Sequence, residues 1–304
     1  MGIPCQATAS ELAQWLGGQL HGEDQQITEL VPLNQNAVGS LSFATHLPQK
    51  LSVSGVILVR NPIEGLNCIT VAHPKWAMGE LIGRFVKESP SGVSPLADIH
   101  PTAVVHPSAV IQSGAVIGAD CSVGADTIIG PQVVLYPRSH IGANCRIQAG
   151  AVIGASGFAY EQVDGVAKHV THGGGVVIED GVDIGAHVCI DQGMLEPTRL
   201  CSGVKVDNLV HIGHNTLIDG GTIIAAQTGI SGSAQIGKGV RLGGQVGVSN
   251  HAVLEDGVQV AAKSGVHGRL RAGMAYFGIP ALPKDQAFEL IRALRRLPRW
   301  MQKR

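Results

Sequence analysis

The sequence predicts a mainly β protein, a parallel β-helix preceded by a small α/β module and followed by a helical extension. Three observations carry that reading. An aliphatic residue recurs every six positions at Ile99, Val105, Ile111, Ile117, Val123, Ile129, Leu135, Ile141, Ile147 and Ile153. The residue four places after each of the first nine is small or compact: Ala103, Ala109, Ala115, Cys121, Thr127, Val133, Ser139, Cys145 and Ala151. Glycine stands at 41 of 304 residues and aromatics at only 4%, so the core must be built from aliphatic and small side chains. A period of six fits neither an amphipathic helix nor an alternating strand, but it is the period of a parallel β-helix. Each hexad forms one flat side, with the large residue inside and the small one at the corner, and three hexads complete a coil of about eighteen residues.

The elements follow in order along the chain. Residues 1–95 read as the α/β module, with a helix over 10–16, strands around 41–43 and 56–59, and a helix over 76–86. Residues 96–275 form the β-helix. Its frame resumes at Ile178, Ile184 and Ile190, and again at Leu200, Val206, Ile212, Ile218, Ile224, Ile230, Ile236, Leu242, Val248, Leu254, Val260 and Val266. The two breaks, over 155–177 and 191–199, predict loops leaving the coil, and loops on a rigid scaffold are where binding residues concentrate. In the extension, 276–304, Phe288, Ile291 and Leu294 have helical spacing, and Pro298 is expected to end that helix.

Composition narrows the function classes. The six cysteines form no C-x-x-C pair, and the amino terminus lacks the basic and apolar regions of a signal peptide, which points to the cytoplasm. No apolar run is long enough for a membrane span. Net charge is −1, yet residues 264–304 carry nine Lys or Arg against Asp285 and Glu289, a balance of +7, so the remainder stands at −8. Such a basic end is a solvated helix face or a docking surface for an acidic protein or a nucleic acid.

Histidine is the side chain suited to general-base work near neutral pH. Of thirteen, the one singled out is His214 in NLVHIGHNTLI, two places after the interior Ile212 and hence at a corner. One coil further lies Gly232, which leaves room beside an imidazole and can present a backbone N–H to an oxyanion. Asn250 and His251 follow two coils along, and His267 three coils along. For His211, His251 and His267, an exposed corner with no role is an equal alternative.

VDNLVHIGHNTLI followed by IAAQTGISGSAQIG resembles the central motif of the UDP-3-O-(3-hydroxyacyl)glucosamine N-acyltransferases of lipid A biosynthesis. GASGFAY, GVVIEDGVDIGAHVCIDQG and YFGIPALP resemble further segments of that family. GSLSFATH and VAHPKWAMGELIGRF resemble, more loosely, its uridine-binding module. The resemblance implies a left-handed β-helix, a homotrimer with sites between adjacent subunits, and acyl transfer from the phosphopantetheine arm of acyl carrier protein to the 2-amine of a UDP-linked acylglucosamine. It implies no metal and no other cofactor, and a carrier protein rather than nucleic acid as partner. Carried over by motif, His214 is the base, Gly232 the oxyanion donor and His251 a second histidine of the site. Asp207, Asn208, Asn215 and Asn250 become substrate contacts, and Phe43 a uracil-stacking aromatic. Arg269, Arg271, Arg292, Arg295 and Arg296 become docking residues for the carrier.

The chain departs from the family pattern at 44–49, where an asparagine and a tyrosine are missing, at Gln192 in place of an arginine, and at His211 in place of a glutamine. Three rival readings stand beside it. One is a transferase of the same architecture using acetyl-CoA or another sugar nucleotide. Another is a three-histidine zinc enzyme, for which two histidines five apart are lacking. The third is a non-catalytic nucleotide-sugar binder.

Overall fold

The computed structural model describes residues 2–46, 53–86 and 92–301. Leu47, Pro48 and Gln49 of the departing segment, Lys303 and Arg304, and the side chain of Arg299 lie outside the described residues. The chain divides into two units, Met1–Ser89 and Pro90–Arg304.

In the first unit six strands, β1 (Ile3–Thr8), β2 (Gln19–His21), β3 (Gln26–Leu30), β4 (Ser40–Phe43), β5 (Val56–Val59) and β6 (Cys68–Thr70), form one sheet in the order β1-β3-β4-β5-β6-β2. Helix α1 (Ala9–Trp15) starts at Thr8, whose hydroxyl accepts from the Glu11 N–H while the Glu11 carboxylate accepts from the Thr8 N–H. This reciprocal capping satisfies two otherwise orphaned donors. Helix α2 (Pro74–Phe85) begins with proline at its first position, where no N–H is needed. Both helices bury their apolar faces, Leu12 and Ala13 in α1 and Ala77, Met78 and Leu81 in α2, against Leu41, Val56 and Leu58 of the sheet.

The second unit is a parallel β-helix with three flat faces. The first face stacks nine short strands from Asp98–Ile99 to Gly265–Val266, the second nine from Val104–Val105 to Arg269–Leu270, and the third ten from Val110–Ile111 to Leu282–Pro283. Like residues stack in register, Ile117 on Leu135 on Ile153 on Ile190 on Ile212 on Ile230, all at 1% exposure or less. Each such side chain contributes about 1.5–3 kcal/mol by leaving water, which is how two-residue strands hold together. At the start of the stack, Ile99 and Val105 have no strand paired beneath them among the described residues and are only partly buried.

The corners use left-handed backbone, at Asp120, Asp126, Asn144, Asn215, Ser233 and His251 among others. Asn and Asp tolerate that conformation better than other residues with a Cβ. The compact corner residues are buried, and Thr127 bonds its hydroxyl to the Gly142 carbonyl at 2.7 Å. Cys121 and Cys145 lie at the same kind of position, and burial pushes both thiols up. They are packing residues.

The first frame break folds as a β-hairpin, Tyr160–Val163 paired with Val166–His169, and the second as a short loop over 192–197. Tyr276, which opens the expected extension, is instead the last interior residue of the third face, 7% exposed. Helix α3 (Lys284–Met301) does not end at Pro298 as expected but runs through it. A proline so near the end removes one hydrogen bond of the last turns and leaves the preceding helix intact. Among the described residues no helix is long and apolar enough to cross a membrane.

Candidate functional site

Both loops and His214 leave the β-helix at the same corner, between the first and second faces. The loops are joined to each other, Gly173 N–H donating to Met194 O at 2.9 Å and Gly174 N–H to Gly193 O at 2.8 Å. Beside them a groove of about 650 Å³ runs along the first face, lined by Phe158, Asp191, His211, His214, Gly232 and Asn250. Its floor includes the outward positions Gly229 and Gly247, where an added Cβ would meet nothing within 4 Å, so successive coils leave an open channel there.

The hydrogen bonds of its neighbour select the tautomer of His214. Asn215 Nδ2 donates to Glu196 O at 3.2 Å, and Asn215 Oδ1 accepts the Met194 N–H at 3.0 Å. That oxygen also lies 3.2 Å from His214 Nδ1. An amide oxygen only accepts, so for the neutral ring this contact selects the tautomer with the proton on Nδ1 and the lone pair on Nε2. Gly232 stands against that nitrogen, for a Cβ built there would lie 2.6 Å from His214 Nε2. At other corners the N–H at the equivalent turn position is capped by a side chain, as in Ala186 by Asn208 Oδ1, Ala226 by Asp207 Oδ2 and Lys238 by Asp256 Oδ1. Among the described residues the Gly232 N–H has no such cap. A free backbone donor and a basic nitrogen thus stand side by side at the groove.

Three further residues complete the site, and sequence reasoning did not place them in it. His172, from the inserted segment, is 5% exposed and packs edge-to-face on His214 with ring centroids 4.8 Å apart. Asp191 is 6% exposed, with His211 Nε2 at 3.7 Å. Burial pushes its carboxyl above the usual carboxylate range, and the charges of His211, His214 and His172 draw it part of the way back. Phe158, 81% exposed, stands at the rim.

The other expected site residues are more scattered. Asn250 lines the groove in register with His214 and Gly232, but His251 takes the left-handed turn position equivalent to Asn215, with an exposed side chain that does not line it. His267 stands beside Ser249, its Nδ1 3.4 Å from the hydroxyl. Asp207 and Asn208 lie at a different corner, between the third and first faces. There Asp207 Oδ1 accepts from Asn208 N–H at 2.8 Å and Asn208 Nδ2 at 3.0 Å, and Asn208 Oδ1 caps Ala186 at 2.7 Å. Within one chain these two side chains fasten coil to coil instead of facing the groove. Phe43 is half-buried in the first unit, packed against its core. Arg269 is exposed but paired with Glu255 at 2.8 Å, while Arg292, Arg295 and Arg296 are exposed on α3. Among the described residues, no group of three or more His, Cys, Asp or Glu is arranged to hold a metal ion.

Comparison with known proteins adds to this geometry. The sequence model described as bacterial transferase hexapeptide (six repeats) matches residues 120–155. A UDP-3-O-acylglucosamine N-acyltransferase of Methylacidiphilum infernorum is 49% identical over 86 residues, a stretch covering 28% of this chain and 24% of that relative. One from Delftia acidovorans is 36% identical over 238 residues, covering 73% of this chain and 71% of the relative. Among solved structures, a UDP-N-acetylglucosamine O-acyltransferase from Moraxella catarrhalis superposes with a TM-score of 0.59 at 25% identity, covering 63% of this chain and 73% of the other.

Proposed function

The chain belongs to the UDP-3-O-acylglucosamine N-acyltransferase family, and on that premise we propose that it transfers a 3-hydroxyacyl group from acyl carrier protein to the 2-amine of UDP-3-O-acylglucosamine. The observation that carries the reading is the pairing at the groove of a His214 Nε2 lone pair with an uncapped Gly232 N–H.

The chemistry follows from that pairing. The amine nitrogen attacks the thioester carbonyl carbon, and neutral His214 takes the amine proton on Nε2. The carbonyl oxygen becomes an oxyanion that accepts the Gly232 N–H. As the tetrahedral intermediate collapses, the carbon–sulfur bond breaks, the amide forms, and the imidazolium proton goes to the leaving thiolate. An amine and a thioester need no acyl-enzyme between them, which agrees with the buried, protonated state of Cys121 and Cys145. The glycine-floored channel at Gly229 and Gly247 has room for the linear acyl chain or the phosphopantetheine arm.

The carrier is acidic in this reading, and the exposed Arg292, Arg295 and Arg296, with Arg269 and Arg271, are the residues assigned to dock it. A homotrimer in the cytoplasm is part of the same proposal, with His251 facing a neighbouring subunit. Phe43 is assigned to the uracil ring. The test is product formation from UDP-3-O-acylglucosamine with 3-hydroxyacyl carrier protein against the same acyl group on CoA. Turnover with the carrier thioester and not with the CoA thioester is the expected result, and the reverse preference overturns the donor assignment.

A further inference from the structure

The inserted segment contributes a buried histidine that the mechanism above does not use. His172 Nδ1 lies 2.8 Å from the Val170 carbonyl, which only accepts, so Nδ1 is the donor of that bond. The ring is therefore fixed in orientation by its own loop. Its contact with His214, 4.8 Å between centroids at an interplanar angle of 63°, is an edge-to-face packing between two rings that come from different parts of the chain.

The backbone of the insertion is pressed onto the same pair. At Gly157 an added Cβ would stand 2.8 Å from His214 Cβ and 2.9 Å from His172 Nε2, so only glycine lets the strap lie this close. The strap is stitched down by its hairpin. Val170 N–H donates to Ala159 O at 2.9 Å, and His169 Nε2 lies 3.1 Å from the Gly157 carbonyl. His214 is thus restrained on three sides: Asn215 at Nδ1, Gly232 beside Nε2, and His172 against the ring. The first two restraints come from the β-helix. His172 adds a ring contact from outside the β-helix, against which the imidazole would have to turn about its Cβ–Cγ bond.

We propose that His172 is a positioning residue that locks the ring plane of His214, so that Nε2 is presented to the groove and Nδ1 keeps its bond to Asn215. The inference rests on the assignment of His214 as the base, but its test does not depend on turnover alone. Imidazole nitrogen resonances of the full-length protein, with ¹⁵N-labelled histidine, report the His214 tautomer above the imidazole titration range, assigned by their loss in His214→Gln. The native chain is expected to show a single tautomer protonated on Nδ1. His172→Ala should collapse that signature towards an exchange average, while His172→Phe, which retains an edge-to-face ring, should keep it.

In parallel, kcat should fall roughly 10–100-fold in His172→Ala with KM little changed, as for a displaced base. His172→Phe should recover most of that loss. An unchanged His214 signature in a folded His172→Ala protein overturns the proposal. A lost signature in a protein that never acylates the sugar nucleotide supports the positioning role and instead counts against the assigned reaction.

Discussion

Replacing Gly232 by alanine isolates the geometry of the site from its chemistry. The added Cβ would lie 2.6 Å from His214 Nε2, 2.8 Å from Cε1 and 2.9 Å from Cδ2, whereas ordinary contact begins at 3.4 Å. The imidazole must therefore retreat from the added Cβ by about 0.8 Å, the difference between 3.4 and 2.6 Å. Gly232 is not among the residues with positive φ, so alanine introduces no backbone strain there, and the Gly232 N–H is retained. The loss is then one of alignment alone, and a misplacement of about 1 Å costs on the order of 10²-fold. Steady-state kinetics on Gly232→Ala should show kcat lowered by about that factor, with thermal stability close to that of the native chain. Gly244 occupies the equivalent turn position of another corner, with its nearest neighbour 3.5 Å from a built Cβ, so Gly244→Ala serves as the control. Full activity in Gly232→Ala would refute the placement of the reacting atoms at this corner.

Three further outcomes are expected. The folded-state pKa of Asp191 is raised, so the native state holds its proton more tightly than the unfolded chain, and stability falls as pH rises from the ordinary carboxylate range through the raised value. Thermal melts of Asp191→Asn should accordingly flatten in that window and gain on the native protein at neutral pH, and identical profiles would contradict the burial argument. Phe43→Ala should raise KM for the sugar nucleotide while leaving kcat within about twofold, since stacking acts on ground and transition states alike. Reversing Arg292, Arg295 and Arg296 to glutamate should raise KM for the carrier protein and remove most of its salt dependence, because steering charges act chiefly on association.

The β-helix was legible because its stability rests on one repeated choice, an aliphatic residue every sixth place, and burial of Ile117 through Val266 follows that frame. The corner holding His214 was legible for the same reason, and counting one coil ahead finds Gly232. Counting six also separates Val206 from Ile212 by one face, which is why Asp207 and Asn208 cap a different corner from the one that holds His214. Asp191 could have been found from the register, since Ile190 stacks directly on Ile212 once the residues inserted by the second loop are allowed for. His172 could not. It reaches His214 because a hairpin returns over the coil, and a return of that kind leaves no period in the sequence. The passage of α3 through Pro298 was missed because a proline near a helix terminus costs little.

In the proposed reaction His214 is the base for acyl transfer to an amine at this groove. That role is tested most directly by following radiolabelled UDP-3-O-acylglucosamine in the presence of 3-hydroxyacyl carrier protein, with the native chain beside His214→Ala. N-acylated product is expected from the native protein, with a loss of about 10²-fold or more in the variant and its fold retained. Product formed at the native rate by His214→Ala would contradict that role.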